Sequence, residues 1–195
     1  SRLINESWNA DDLRNGILFN SPTPDISAPN AHYTHYAALS AAGFYNTATT
    51  FKQKVLTTLD VVGSLVQPLV GKILFTIGCH AGLNVPDRSS VAADPSLGVD
   101  PALDFPQAMA QQNAFWIAST GFGLGETDGL AGTELLLSIF SKELVKGDTT
   151  VGDALLASKQ TYLGSLNPIT VYDEKSSIQT TLYGLPMYQV LITGP

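Results

Sequence analysis

Lys72-Ile73-Leu74-Phe75-Thr76-Ile77-Gly78-Cys79-His80-Ala81-Gly82-Leu83 is the stretch on which the fold of this chain turns. Ile73 to Ile77 run without polar alternation and are rich in β-branched and aromatic residues, the mark of a strand covered on both faces inside a parallel sheet. The run stops at Gly78 and at the only cysteine of the chain. The small Ala81 and Gly82 predict a tight turn with exposed amides. Chemistry in open α/β sheets gathers at the carboxyl ends of strands, so Cys79 stands where a nucleophile belongs. A solitary cysteine also occurs as a small buried hydrophobe, and the surrounding sequence has to decide between the two uses.

Upstream, Leu56 to Leu69 carries apolar residues at helical intervals and closes at Pro68 and Gly71. Asp25 to His32 reads as a short strand in which Pro29 lacks a donor, which places that end at a sheet edge or bulge. His32 and His35 leave this strand's exit. Trp8 to Phe19 reads as an opening helix, and Ala37 to Thr50, small and polar, as a loop. Downstream, Asn84 to Asp104 is a long loop. Asp104 caps a short helix from Phe105 to Gln112. A second buried strand, Ala114 to Thr120, runs into a glycine-rich loop.

Thr133 to Lys146 then reads as an amphipathic helix with Leu135, Leu136, Ile139, Phe140 and Leu144 inward, stopped by Gly147. Thr150 and Asp153 form a capping pair for a helix from Val151 to Leu163. Ile178 to Tyr183 and Met187 to Ile192 read as two short strands. Strands alternating with helices predict a single α/β domain over residues 1–195, with a mostly parallel sheet flanked by helices.

Composition narrows the function. The chain has 195 residues, 44% hydrophobic and only 14% charged, so it can bury a sizeable core. A net charge of -7 and the lack of any basic run exclude a nucleic-acid footprint. No apolar stretch reaches the roughly 18 residues that span a bilayer. One cysteine forms no internal disulfide. Ser1 to Glu6 has no signal-peptide core and no initiator Met, the expectation for a processed product.

Three histidines are available to a thiol: His32, His35 and His80. His80 adjoins Cys79, and neighbours on an extended chain face opposite ways, which leaves it to line a pocket. His32 and His35 leave a different strand. If the two strands are neighbours, their ends lie about 5 Å apart and an imidazole can meet the thiol across the sheet end. Proximity to a histidinium favours the reactive thiolate. The Cys79 backbone N–H would then hold a developing oxyanion. The rival use is metal binding: the three histidines with Cys79 would supply four zinc ligands on paper, but the spacing matches no common zinc pattern. No cofactor motif is present. The glycine-rich loop after Thr120 is no phosphate loop, since no Gly-Lys-Ser/Thr follows and Glu126 and Asp128 would repel phosphate. It reads as a pocket wall or lid.

A hydrophobic strand ending in Cys79-His80-Ala81-Gly82 resembles the Cys-His-Ser-Gly of metacaspases and the Ala-Cys-Arg-Gly of caspases. Asn30-Ala31-His32 is similar to the strand ending in His-Gly of the same superfamily, at a similar distance upstream. The downstream half looks most like the gingipain-type cysteine peptidases. There the likeness lies in Phe115 to Gly121, in Leu144 to Leu155 with Lys159, and in Leu182-Tyr183-Gly184-Leu185-Pro186.

The resemblance implies a caspase–hemoglobinase fold and a His/Cys dyad that cleaves peptide bonds. Cys79 matches the nucleophile and an oxyanion donor, His32 the acid or base with His35 as the alternative, and Ser119, Thr120, Gly121, Glu126 and Asp128 a substrate pocket. It implies a protein or peptide substrate, no metal and no cofactor, and an exported, extracellular or cell-surface bacterial setting. It also implies that the first strands of the sheet reside in a companion chain or an N-terminal segment. The chain departs from the pattern at Tyr33, where the family has Gly, and at Ile77, where Arg- and Lys-specific relatives carry Asp. Both departures fit the alternative, a catalytically inactive caspase-like module for binding or assembly.

Overall fold

The computed structural model describes residues 10–15, 24–33, 37–39, 55–63, 69–85, 103–126 and 128–190. In chain order the elements are α1 (Ala10–Leu13), β1 (Ile26–Ser27), β2 (His32–Tyr33), β3 (Ala37–Leu39), β4 (Val55–Thr57), α2 (Thr58–Gly63) and β5 (Ile73–Thr76). There follow α3 (Phe105–Gln111), β6 (Phe115–Ser119), α4 (Gly132–Val145), β7 (Thr149–Thr150), α5 (Val151–Gly164), α6 (Val171–Gln179), β8 (Thr180–Tyr183) and β9 (Gln189–Val190).

The unalternating runs become the centre of the sheet. Every residue of β5 and of β6 is buried, as expected for strands covered on both faces. Strand order is β1-β5-β6-β8. β1, β5 and β6 run parallel, and β8 adds antiparallel to β6. The fold is therefore α/β with a mostly parallel sheet flanked by helices. β1 lies on the edge of this sheet, where a strand followed by Pro29 is tolerated. Side chains alternate cleanly. Leu74, Trp116 and Ala118 join Phe105 and Met109 of α3 and Val61 of α2 in one core cluster. Ile73, Phe75, Phe115 and Ile117 join Leu136 and Phe140 of α4 and Val151 and Leu155 of α5 in the other.

The capping residues act as the sequence predicts. Asp104 takes the N-cap of α3 and accepts the N–H of Val85 at 2.7 Å. Thr150 accepts the N–H of Asp153 at 3.0 Å at the start of α5.

Several expectations need correction. The predicted helix over 56–69 starts later, because Val55–Thr57 pairs with β3. Thr57 then caps α2, its N–H donating to Asp60 Oδ2 at 2.7 Å. Ala37–Leu39, expected as loop, is a strand pairing with both β2 and β4. Leu137 is buried in α4, whereas Leu135 and Ile139 are only partly so. Ile178 and Gln179, expected in a strand, close a helix, α6. Its inner face is Ser176, Ser177 and Gln179, so no apolar periodicity marks it. The opening helix is helical at Ala10–Leu13, and its remainder lies largely outside the described residues, as does most of the long loop after Asn84. Among the described residues no helix is long and apolar enough to cross a membrane.

Candidate functional site

The parallel pairing of β1 with β5 sets Ile26 beside Ile73 and Ser27 beside Leu74. Beyond the ladder the two chains stay in step. The Ile77 N–H donates to Asn30 Oδ1 at 3.2 Å, 47 residues away. Ala31 O lies 2.9 Å from where a Cβ on Gly78 would stand. Two residues past this bond stand His32, the first residue of β2, and Cys79, in the turn after β5. Gly78 is required here because the Tyr33 ring fills the space its side chain would take.

Ile26 and Ile77 pack with the second cluster, while Ala31 and Tyr33 pack with the first. His32 is exposed and Cys79 half-buried, so both are within reach of a solute. His35 lies outside the described residues.

The turn after β5 is locked to the end of β6. His80 N–H donates to Gly121 O at 2.7 Å and Gly82 N–H to Ser119 O at 2.9 Å. Trp116 Nε1–H donates to Ala81 O at 2.7 Å, and the Tyr183 hydroxyl donates to Gly82 O. Burial, and after it the charge of Asp104, raises the Tyr183 phenol above its ordinary pKa, so it stays a donor. These two anchors have no signal in the sequence beyond the tendency of buried Trp and Tyr to seek an acceptor.

The amides predicted to be exposed in this turn are not. Those of His80, Ala81, Gly82 and Leu83 all meet backbone carbonyls: His80 at Gly121 of the glycine-rich loop, Gly82 at Ser119 of β6, and Ala81 and Leu83 within the turn itself. Gly123 packs closely here too, for a side chain there would collide with the Ile77 carbonyl. Among the described residues no acceptor is paired with the Cys79 N–H. An oxyanion formed at Cys79 would meet this donor.

The extended geometry assumed for His80 also fails. Its φ is 58°, a left-handed conformation that turns the chain at once. Its ring lies edge-on to Phe122, with centroids 4.6 Å apart. It is thus held by the glycine-rich loop. Non-glycine residues in this region cost about 1 kcal/mol or more and gather at functional sites.

Of the expected pocket residues, Ser119 is fully buried at the end of β6, and Thr120 and Gly121 are half-buried beside the Cys79 turn. Glu126 and Asp128 are exposed farther along the loop, and no described contact ties either to the turn. The departures from the resemblance are structural. Tyr33 is buried edge-on against Phe105, and its hydroxyl donates to Pro29 O at 2.7 Å. Ile77 packs against the second core. Among the described residues no three His, Cys, Asp or Glu side chains are grouped to hold a metal ion.

Comparison with protein families, with curated proteins and with solved structures finds no match for this chain.

Proposed function

We propose that this chain is a cysteine endopeptidase of the caspase–hemoglobinase type, with Cys79 as nucleophile and His32 as its acid–base partner. The observation that supports the reading is the 47-residue offset shared by the β1–β5 pairs and by the bond from the Ile77 N–H to Asn30 Oδ1, which runs the chain just before His32 beside the chain just before Cys79. An imidazole and a thiol are the residue types that together make an activated cysteine nucleophile. The Cys79 thiol passes its proton to His32 as Sγ attacks the scissile carbonyl carbon, and the carbonyl oxygen takes up negative charge facing the Cys79 N–H. Collapse breaks the C–N bond and leaves a thioester, while His32 delivers a proton to the departing amine. Water then attacks the thioester, His32 takes its proton, and the thiol is restored as the carboxylic acid leaves.

The decisive experiment compares labelling by a peptidyl acyloxymethyl ketone in the wild type and in Cys79→Ala, His32→Ala and His80→Ala. Cys79→Ala abolishes labelling and turnover. His32→Ala slows labelling by roughly 100-fold or more, and His80→Ala slows it far less. Equal labelling of the wild type and His32→Ala removes His32 as the base. If His35→Ala labels equally as well, the domain is the inactive caspase-like binding module, carrying an ordinary thiol.

A further inference from the structure

Helix α6 is inside out. Its nine residues bury Ser176, Ser177 and Gln179, while Val171, Tyr172 and Ile178 are 70%, 64% and 79% exposed. Phe122, on the glycine-rich loop, is 59% exposed and continues the same strip. Gln179 Nε2 donates to Phe122 O, and Lys175 Nζ stands 5.6 Å from the Phe122 ring centroid. Lys175 and Ile178 are three apart on the helix and so share a face. The Phe122 ring also meets His80, the residue bonded to Cys79, edge-on. An exposed apolar strip therefore runs from the residue after the candidate nucleophile along α6, with one cation in it that has no carboxylate partner among the described residues.

Large apolar side chains held outward beside a site, while small polar ones are buried, mark a recognition surface. The strip starts at His80, the chain neighbour of Cys79, rather than at a remote edge, which favours the peptide being cleaved over a second protein. We infer that the Phe122–Ile178 strip is the substrate-binding wall of this chain, selecting peptides that carry a bulky apolar side chain with an acidic residue next to it, the latter paired with Lys175. Among the described residues Glu126 and Asp128 have no contact with this strip, so the specificity it sets is for apolar and acidic side chains, not basic ones. The inference rests on the proposed peptidase reading for the identity of its occupant.

A binding measurement separates the two. Fluorescence anisotropy with a fluorescein-labelled peptide library on the full Cys79→Ala chain needs no catalysis. Peptides with adjacent bulky apolar and acidic residues are expected to bind best. Ile178→Ser and Phe122→Ser should each weaken them about tenfold, the loss of one well-buried apolar contact. Lys175→Glu should turn the preference from acidic to basic neighbours, while Leu156→Ser, an exposed apolar change on α5, leaves binding as it was. Selective binding that these strip variants do not alter, or no peptide preference at all, overturns the wall. Binding as expected, together with a wild type that no peptidyl ketone labels, keeps the wall and removes the peptidase.

Discussion

The ring of Tyr33 occupies the space that a side chain on Gly78 would fill. The contact packs β2 against the residue before Cys79. Gly78→Ala forces the ring out of a core where it meets Phe105 and Trp116. Overpacking of this kind costs about 1–3 kcal/mol. The variant should melt roughly 5 °C or more below the wild type by circular dichroism. A melting temperature within a degree of the wild type would mean that Tyr33 lies elsewhere in solution. Tyr33→Phe keeps the ring and loses the hydroxyl with its bonds to Pro29 O and to Thr76, so it should cost about 1 kcal/mol.

Trp116 reaches from β6 to hold Ala81 O, two residues past Cys79. Trp116→Phe deletes that donor and leaves a buried carbonyl with one partner fewer, a loss of about 1–3 kcal/mol in stability. If the bond also positions the nucleophile, kcat for any cleaved peptide should fall about tenfold with KM little changed, because a misplaced sulfur weakens the transition state more than substrate binding. A variant that loses stability but keeps kcat per folded molecule would show that Trp116 supports the fold alone.

The sheet's centre was legible because burial on both faces writes itself as an unbroken apolar run, in Ile73–Thr76 and Phe115–Ser119 alike. Caps were legible where one side chain meets one backbone amide, as at Asp104 and Thr150. Helix α6 was not, since the rule that apolar residues face inward is reversed there. Read by periodicity, Ile178 joined the strand that follows it. The β2–β3–β4 meander was hidden for another reason: two- and three-residue strands are too short to show alternation, and their pairing depends on partners distant in sequence. The site was half legible. Residue types singled out Cys79 and His32, and the 47-residue offset of β1 against β5 extends as far as Asn30 and Ile77. But His32, read as the exit of a strand from Asp25, instead opens β2, because that strand stops at Ser27 ahead of Pro29. The anchoring by Trp116 and Tyr183 is tertiary and leaves no local pattern.

The capping box of α6 predicts a specific acid sensitivity. Asp173 accepts hydrogen bonds from Thr170 N–H at 2.8 Å, from Thr170 Oγ1 at 2.6 Å and from the Tyr162 hydroxyl at 2.6 Å. These bonds, those of Thr170 first, hold its carboxyl below the ordinary pKa. A carboxylate depressed in the folded state stabilises it fully above the unfolded value and progressively less as pH falls through the folded one. Asp173→Asn should therefore lower the urea midpoint at pH 7, and the difference from the wild type should shrink below about pH 4. A gap between the two proteins that stays constant down to pH 2 would show that the cap acts without its charge.

Ser119 and Thr180 pair across β6 and β8, and both are buried, yet their hydroxyls differ. Thr180 Oγ1 donates to Ser176 O at 2.8 Å, whereas Ser119 Oγ has no partner among the described residues. Removing a bonded buried hydroxyl loses about 1 kcal/mol, and an unbonded one carries a desolvation penalty of about 1–3 kcal/mol. Thr180→Val should thus lower unfolding free energy in urea, while Ser119→Ala should raise it by about 1 kcal/mol. The two changes have opposite signs although the side chains are cross-strand neighbours of similar chemistry. A loss on Ser119→Ala as large as that on Thr180→Val would show that the Ser119 hydroxyl is hydrogen-bonded in solution. Its place one strand from the Cys79 turn would then make a bound water or a substrate group the partner to look for.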